Sequence, residues 1–81
     1  MTEEDIRAVF INELVKIAPD LDAQDIGEDE RLQDDLGLDS MDILNLVAAL
    51  HKAFGVSIPE PDYPKIATTR LAVSYLQEMQ A

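Results

Sequence analysis

No cysteine occurs among the 81 residues of this sequence. The fold therefore contains no disulfide and no cysteine-ligated metal site, and any thiol chemistry carried out on it needs a thiol brought from outside. Basic residues are scarce as well: 6 Lys plus Arg stand against 17 Asp plus Glu, for a formal charge of −11. Such a charge repels phosphate backbones and anionic bilayers, which argues against nucleic-acid and membrane partners. It favours steering toward basic patches on other proteins, although a merely solvated acidic surface has the same composition. No apolar run approaches the length of a membrane span, and the start, MTEEDIRAVF, lacks the basic segment and apolar core of a secretion signal, so the expected location is the cytoplasm. A chain of this length suffices for one domain covering residues 1–81, with a thin stability margin and little room for an enclosed active site.

Strand alternation and internal repeats are absent; helical periodicity is what the sequence supplies. Thr2 followed by EED reads as a helix start, with an N-cap hydroxyl and acids where the dipole favours them. Ile6, Val9, Phe10, Leu14 and Ile17 then form an apolar stripe that fades at Ala18 and Pro19. From Pro19 to Asp35 the chain is polar, with Leu21, Ile26 and Leu32 as the only expected anchors, and is read as a long ordered loop. Asp39 or Ser40 caps a second helix that Gly55 stops. Three prolines in VSIPEPDYPKIATT allow no more than a short helix, and Thr68 or Thr69 caps a last helix with the stripe Leu71, Ala72, Tyr75, Leu76 and Met79. The expected fold is all-α: a small four-helix bundle of three longer helices and one short third helix, with the long loop between helices one and two.

The second helix has two apolar sectors. Ile43, Leu46, Val47, Leu50 and Phe54 share a core-facing stripe. Met41, Leu44 and Ala48 fall about 100° or more away around the helix, where they are either buried against a second neighbour or exposed as a docking patch rimmed by Asp39 and Asp42.

Ser40 opens this helix. A serine nucleophile needs a base within reach, and the one histidine, His51, lies eleven residues along the same helix, roughly 16 Å away at ~1.5 Å per residue. That distance excludes a dyad, and no glycine-rich turn offers an oxyanion hole, so self-contained hydrolysis is not expected. The acids around positions 22–42 do not fit the spacing of a calcium-binding loop, since neither Gly27 nor Gly37 has carboxylates at the required offsets. Two readings of Ser40 remain on position alone. It is a simple N-cap, or it carries a phosphodiester that the free N–H groups and dipole of the helix start stabilise.

The residues DLGLDSMDILNLV resemble the prosthetic-group attachment motif of acyl carrier proteins and of the wider phosphopantetheine-binding carrier family. The likeness extends over nearly the whole chain, through AFGVSIP and the closing KIATTRLAVSYLQ. It implies a non-catalytic domain whose Ser40 bears a 4′-phosphopantetheine arm installed from coenzyme A by a phosphopantetheinyl transferase. It assigns Asp39 to the transferase's magnesium, and the surface Asp39, Met41, Asp42, Leu44, Asn45 and Ala48 to partner recognition. Partners are then the transferase together with acyl ligases, synthases and acyltransferases carrying basic docking patches, met by a monomer. The resemblance also nominates Ile43, Leu46, Val47, Ile58, Ile66 and Leu71 for an acyl-chain pocket, for which ordinary core packing is an equal explanation.

Some positions depart from the housekeeping fatty-acid carriers. Met41 replaces their usual leucine, Asn45, His51 and Lys52 stand where glutamates are common, and Pro61 and Pro64 interrupt the third helix. A specialised carrier for lipid or secondary-metabolite synthesis is therefore open beside a central one. Three classes stand at this point: a carrier of fatty or polyketide acyl groups, which the acidity and the aliphatic stripes favour; a carrier of aminoacyl (such as D-alanyl) or peptidyl groups; and an unmodified helical interaction domain.

Overall fold

The computed structural model describes residues 1–80. Three α-helices, α1 (Glu3–Ile17), α2 (Ser40–Phe54) and α3 (Thr69–Gln80), alternate with two 3₁₀ segments, Ala23–Asp25 and Glu60–Ile66. Among the described residues no strand forms; the nearest thing to one is a single bridge between Arg31 and Thr68.

Local chemistry sets the helix ends. Thr2 caps α1 in a reciprocal box with Asp5: the Asp5 N–H donates to the Thr2 hydroxyl at 3.2 Å, and the Thr2 N–H donates to the Asp5 carboxylate at 3.1 Å. The bond to the Thr2 backbone holds the Asp5 carboxyl below its ordinary range. Gly55 ends α2 in the left-handed conformation at φ 70°, where any side chain would be strained. Thr68 supplies the cap for α3, its hydroxyl accepting from the Leu71 N–H at 3.2 Å. Pro64 prevents the segment after Ile58 from winding as an α-helix, because it has no N–H to bond back one turn.

The helix α1 is the hub, packing against both α2 and α3, while α3 also carries the 3₁₀ segment Glu60–Ile66. Among the described residues no comparable packing joins that segment to α2, and the space between them stays open. Ile6, Phe10 and Leu14 from α1, Leu46 and Leu50 from α2, and Ala72, Val73 and Leu76 from α3 make the core. Burying such side chains is the main favourable term in holding the bundle together, at ~1.5–3 kcal/mol for each large one.

The long connection from α1 to α2 is knitted to the rest. Leu32 and Leu38 are buried in the core. The Leu32 N–H donates to the Ala67 carbonyl at 3.0 Å, and the Arg70 N–H to the Glu28 carbonyl at 3.0 Å. Ion pairs clasp the same stretch on both flanks, Arg7 to Glu28 and Arg70 to Asp29. Its hydrogen bond to Arg70 holds the Asp29 carboxyl below the usual range.

The last helix departs from expectation. Its buried face is Thr69, Ala72, Val73, Tyr75 and Leu76, while Leu71 and Met79 are about half exposed, at 48% and 50%. Leu71 therefore points away from the interior.

Candidate functional site: the exposed start of helix α2

Asp39, not Ser40, caps α2. The Asp42 N–H donates to Asp39 Oδ1 at 2.8 Å, and the Asp39 N–H donates in return to Asp42 Oδ2 at 3.2 Å. This box occupies the two acids and leaves Ser40 as the first helical residue with an exposed side chain. Gly37, at φ 78°, makes the turn that brings the chain into the helix, and Leu38 plugs into the core just before it. The hydroxyl of Ser40 is thus held at a fixed place, open to solvent, at the positive end of the helix dipole.

The second apolar sector of α2 is exposed. Met41 is 64% and Leu44 48% accessible, and Asn45 and Ala48 lie open on the same surface. Burial on two sides, one of the two options for this helix, does not occur; the sector forms a small apolar patch beside Ser40, rimmed by exposed Asp39 and half-buried Asp42.

Continuous with this patch through Leu44, a half-open groove of about 510 Å³ opens beside Ser40, between α2, the loop and the second 3₁₀ segment. Its apolar lining comes from Leu32, Ile43, Leu44, Pro64, Ile66 and Ala67, and its polar margin includes Arg31, Gln33, Asp34 and Glu60. Tyr63 completes the wall. Behind that wall the Tyr75 hydroxyl donates to Asp62 Oδ2 at 2.8 Å. Burial, with Asp62 adding to it, pushes the Tyr75 phenol above its ordinary pKa.

Of the six residues expected in an acyl-chain pocket, Ile43 and Ile66 line this groove. Leu46 and Ile58 are buried in the core, Val47 is half-buried against it, and none of the three reaches the groove. Leu71 is a correction: it faces solvent from α3, beside Lys65, Ser74 and Glu78, because the inward face of α3 begins at Thr69 rather than two residues later. Leu32, Tyr63, Pro64 and Ala67 were missed. For Leu32 the signal was its place as an apolar anchor of a polar loop; for Tyr63 it was an aromatic between two prolines.

His51 lies toward the far end of α2, exposed, with its Nδ1 3.3 Å from the Ser57 hydroxyl. It takes no part in the surroundings of Ser40. No cluster of three or more potential metal ligands forms among the described residues. The site therefore presents an exposed hydroxyl at a helix start, flanked by an apolar patch and a groove, with the histidine held elsewhere on the helix.

Residues 9–76 match the family model described as "Phosphopantetheine attachment site". The chain belongs to this family. It is similar to an acyl carrier protein of Zymomonas mobilis, with 40% identity over 80 residues that cover 99% of this chain and 96% of the relative. An acyl carrier protein of Campylobacter hominis is 33% identical over 76 residues, covering 94% and 90% of the two chains. Membership makes the domain a non-catalytic carrier with a covalent 4′-phosphopantetheine. Ser40 fits that group: a tethered arm needs an exposed oxygen on a rigid support, and a phosphate held there would gain from the helix start. When bound, the arm supplies the thiol that the sequence lacks.

Proposed function

We propose that residues 1–81 form a single carrier domain, a four-helix bundle in which the 3₁₀ segment Glu60–Ile66 takes the place of a short third helix, and that it holds acyl intermediates as thioesters on an arm attached to Ser40. The observation that carries this reading is the apolar groove opening beside the exposed Ser40, since an aliphatic chain gains about 0.8 kcal/mol for each methylene that it buries there. Within the groove, Leu32, Ile43 and Ile66 are the floor.

Asp39 serves twice in this account. Its Oδ1 and backbone N–H hold the cap, and its other carboxylate oxygen faces the transferase's magnesium while the arm is installed. Met41, Asp42, Leu44, Asn45 and Ala48 complete the surface met by the transferase and by acyl ligases, synthases and acyltransferases. Acids guide the approach of a basic partner, and Met41 and Leu44 supply a modest apolar grip suited to brief encounters. The carrier works as a monomer in the cytoplasm, where a shuttle between enzymes needs no second copy.

Loading tests the cargo. The holo-protein is offered to a fatty acyl ligase and to an amino-acid-activating ligase, and the products are read by intact mass. Acylation by the first and not the second supports the reading; the reverse makes this an aminoacyl carrier.

A further inference from the structure

The winding of the second 3₁₀ segment decides which of its side chains face the groove. With three residues per turn, positions three apart eclipse one another. Glu60, Tyr63 and Ile66 form one such row, and all three line the groove. The row is graded: Glu60 is exposed, Tyr63 half-buried and Ile66 only 1% exposed, so it runs from mouth to floor. Asp62 and Lys65 form a neighbouring row, joined to each other at 3.4 Å, and Asp62 takes the hydrogen bond from Tyr75. Two prolines, Pro61 and Pro64, stiffen the segment by fixing φ, and the Asp62–Tyr75 bond pins it to α3. The wall is therefore rigid, and the ring of Tyr63 is the bulkiest side chain on it.

We propose that Tyr63 sets the length of acyl chain that the groove accepts, its ring standing between mouth and floor, and that the Asp62–Tyr75 hydrogen bond holds it there. This rests on the acyl-carrier reading above. A chain entering past Ser40 runs between exposed Leu44 of α2 and half-buried Tyr63 of the 3₁₀ segment, above the buried floor of Leu32, Ile43 and Ile66. Tyr63 is a specificity residue; Asp62 and Tyr75 are positioning residues that act through it.

The test uses intact protein loaded with a series of saturated acyl chains, transferred with their arms from acyl-coenzyme A by a promiscuous transferase. Two quantities are read for each chain length: the rate of thioester cleavage by hydroxylamine, and the methyl NMR shifts of Leu32, Ile43 and Ile66. In the unsubstituted protein, protection rises about fourfold per added methylene and then levels off when the groove is full. Tyr63→Ala moves the levelling point to longer chains and Tyr63→Trp moves it to shorter ones. Tyr63→Phe leaves it in place, and Tyr75→Phe lowers protection at every length by freeing the wall. Methyl spectra of the unloaded variants establish that each is folded, and Tyr63→Trp and Tyr63→Phe carry the test if the alanine variant is not. A levelling point that ignores both Tyr63→Ala and Tyr63→Trp, or protection that does not depend on chain length at all, overturns the proposal. Failure of the unsubstituted protein to accept any arm is a different result, and overturns the carrier reading instead.

Discussion

Asp39 combines two roles that substitution can separate. Replacing it with alanine removes the acceptor at 2.8 Å from the Asp42 N–H and orphans that donor in the first turn of α2. Loss of an N-cap side chain costs about 1 kcal/mol. For a domain of this size that lowers the melting temperature by roughly 4–8 °C. Asparagine keeps a side-chain oxygen in the same place and is an equally good cap, so Asp39→Asn loses only the interaction of its charge with the helix dipole, roughly 0.5 kcal/mol. For metal contact during arm installation the order changes, because both substitutions remove the carboxylate. Chemical denaturation and the rate of modification, followed by intact mass, are measured on the three proteins side by side. The expected stability order is Asp39, then asparagine, then alanine, while both variants are modified much more slowly than the parent. Equal stability of Asp39→Ala and the parent refutes the capping argument, and modification of Asp39→Asn at the parent rate refutes the metal role.

Other consequences follow from buried and clasping groups. The Thr69 hydroxyl is buried with no hydrogen-bond partner among the described residues, so Thr69→Val, which keeps the shape, is expected to raise stability by about 1 kcal/mol in denaturant melts. The folded state raises the pKa of Tyr75 above its ordinary value of about 10, so its contribution to stability is fully present below that pH and is lost as pH rises through the folded value; Tyr75→Phe should flatten this alkaline limb of the stability profile. The opposite sign holds for Asp29: its lowered pKa gives a contribution present above the ordinary carboxylate range and lost as pH falls through the folded value, a loss that Arg70→Ala should remove. On α3, Leu71→Ser should change stability by no more than about 0.5 kcal/mol, whereas Val73→Ala should cost about 1–3 kcal/mol, since Val73 is 2% exposed and Leu71 is not in the core.

Much of this molecule was legible before any coordinates. The caps Thr2 and Gly55, the apolar stripe of α2, that of α1 at Ile6, Phe10, Leu14 and Ile17, and the placing of Ser40 at a helix start rest on local rules that tertiary contacts did not override, whereas Ile11 rather than Val9 packs against the core. The exposed Met41–Leu44 sector was visible as a second stripe, but whether it was covered depended on the neighbours of α2, which the sequence does not name. On α3 the reading held for Ala72, Tyr75 and Leu76 and failed for Leu71 and Met79. Thr69 is polar by type yet 1% exposed, and Leu71 is apolar by type yet half exposed, so a pattern built on residue type started the stripe at the wrong place. The two prolines announced a short or altered third helix; that it winds as a 3₁₀ segment, with Glu60, Tyr63 and Ile66 in one row toward the groove, depends on how α3 and the loop receive it. The loop's attachment through Leu32 and Ala67 was likewise beyond a local reading, because its partners lie far along the chain.

The central claim is that the hydroxyl of Ser40 is the point at which a thiol-ending arm joins this cysteine-free chain. Intact mass after incubation with coenzyme A and a promiscuous phosphopantetheinyl transferase tests it directly: the protein is expected to gain one phosphopantetheine, and Ser40→Ala to gain none. An unchanged mass for the parent protein, or an equal gain in Ser40→Ala, would contradict the account.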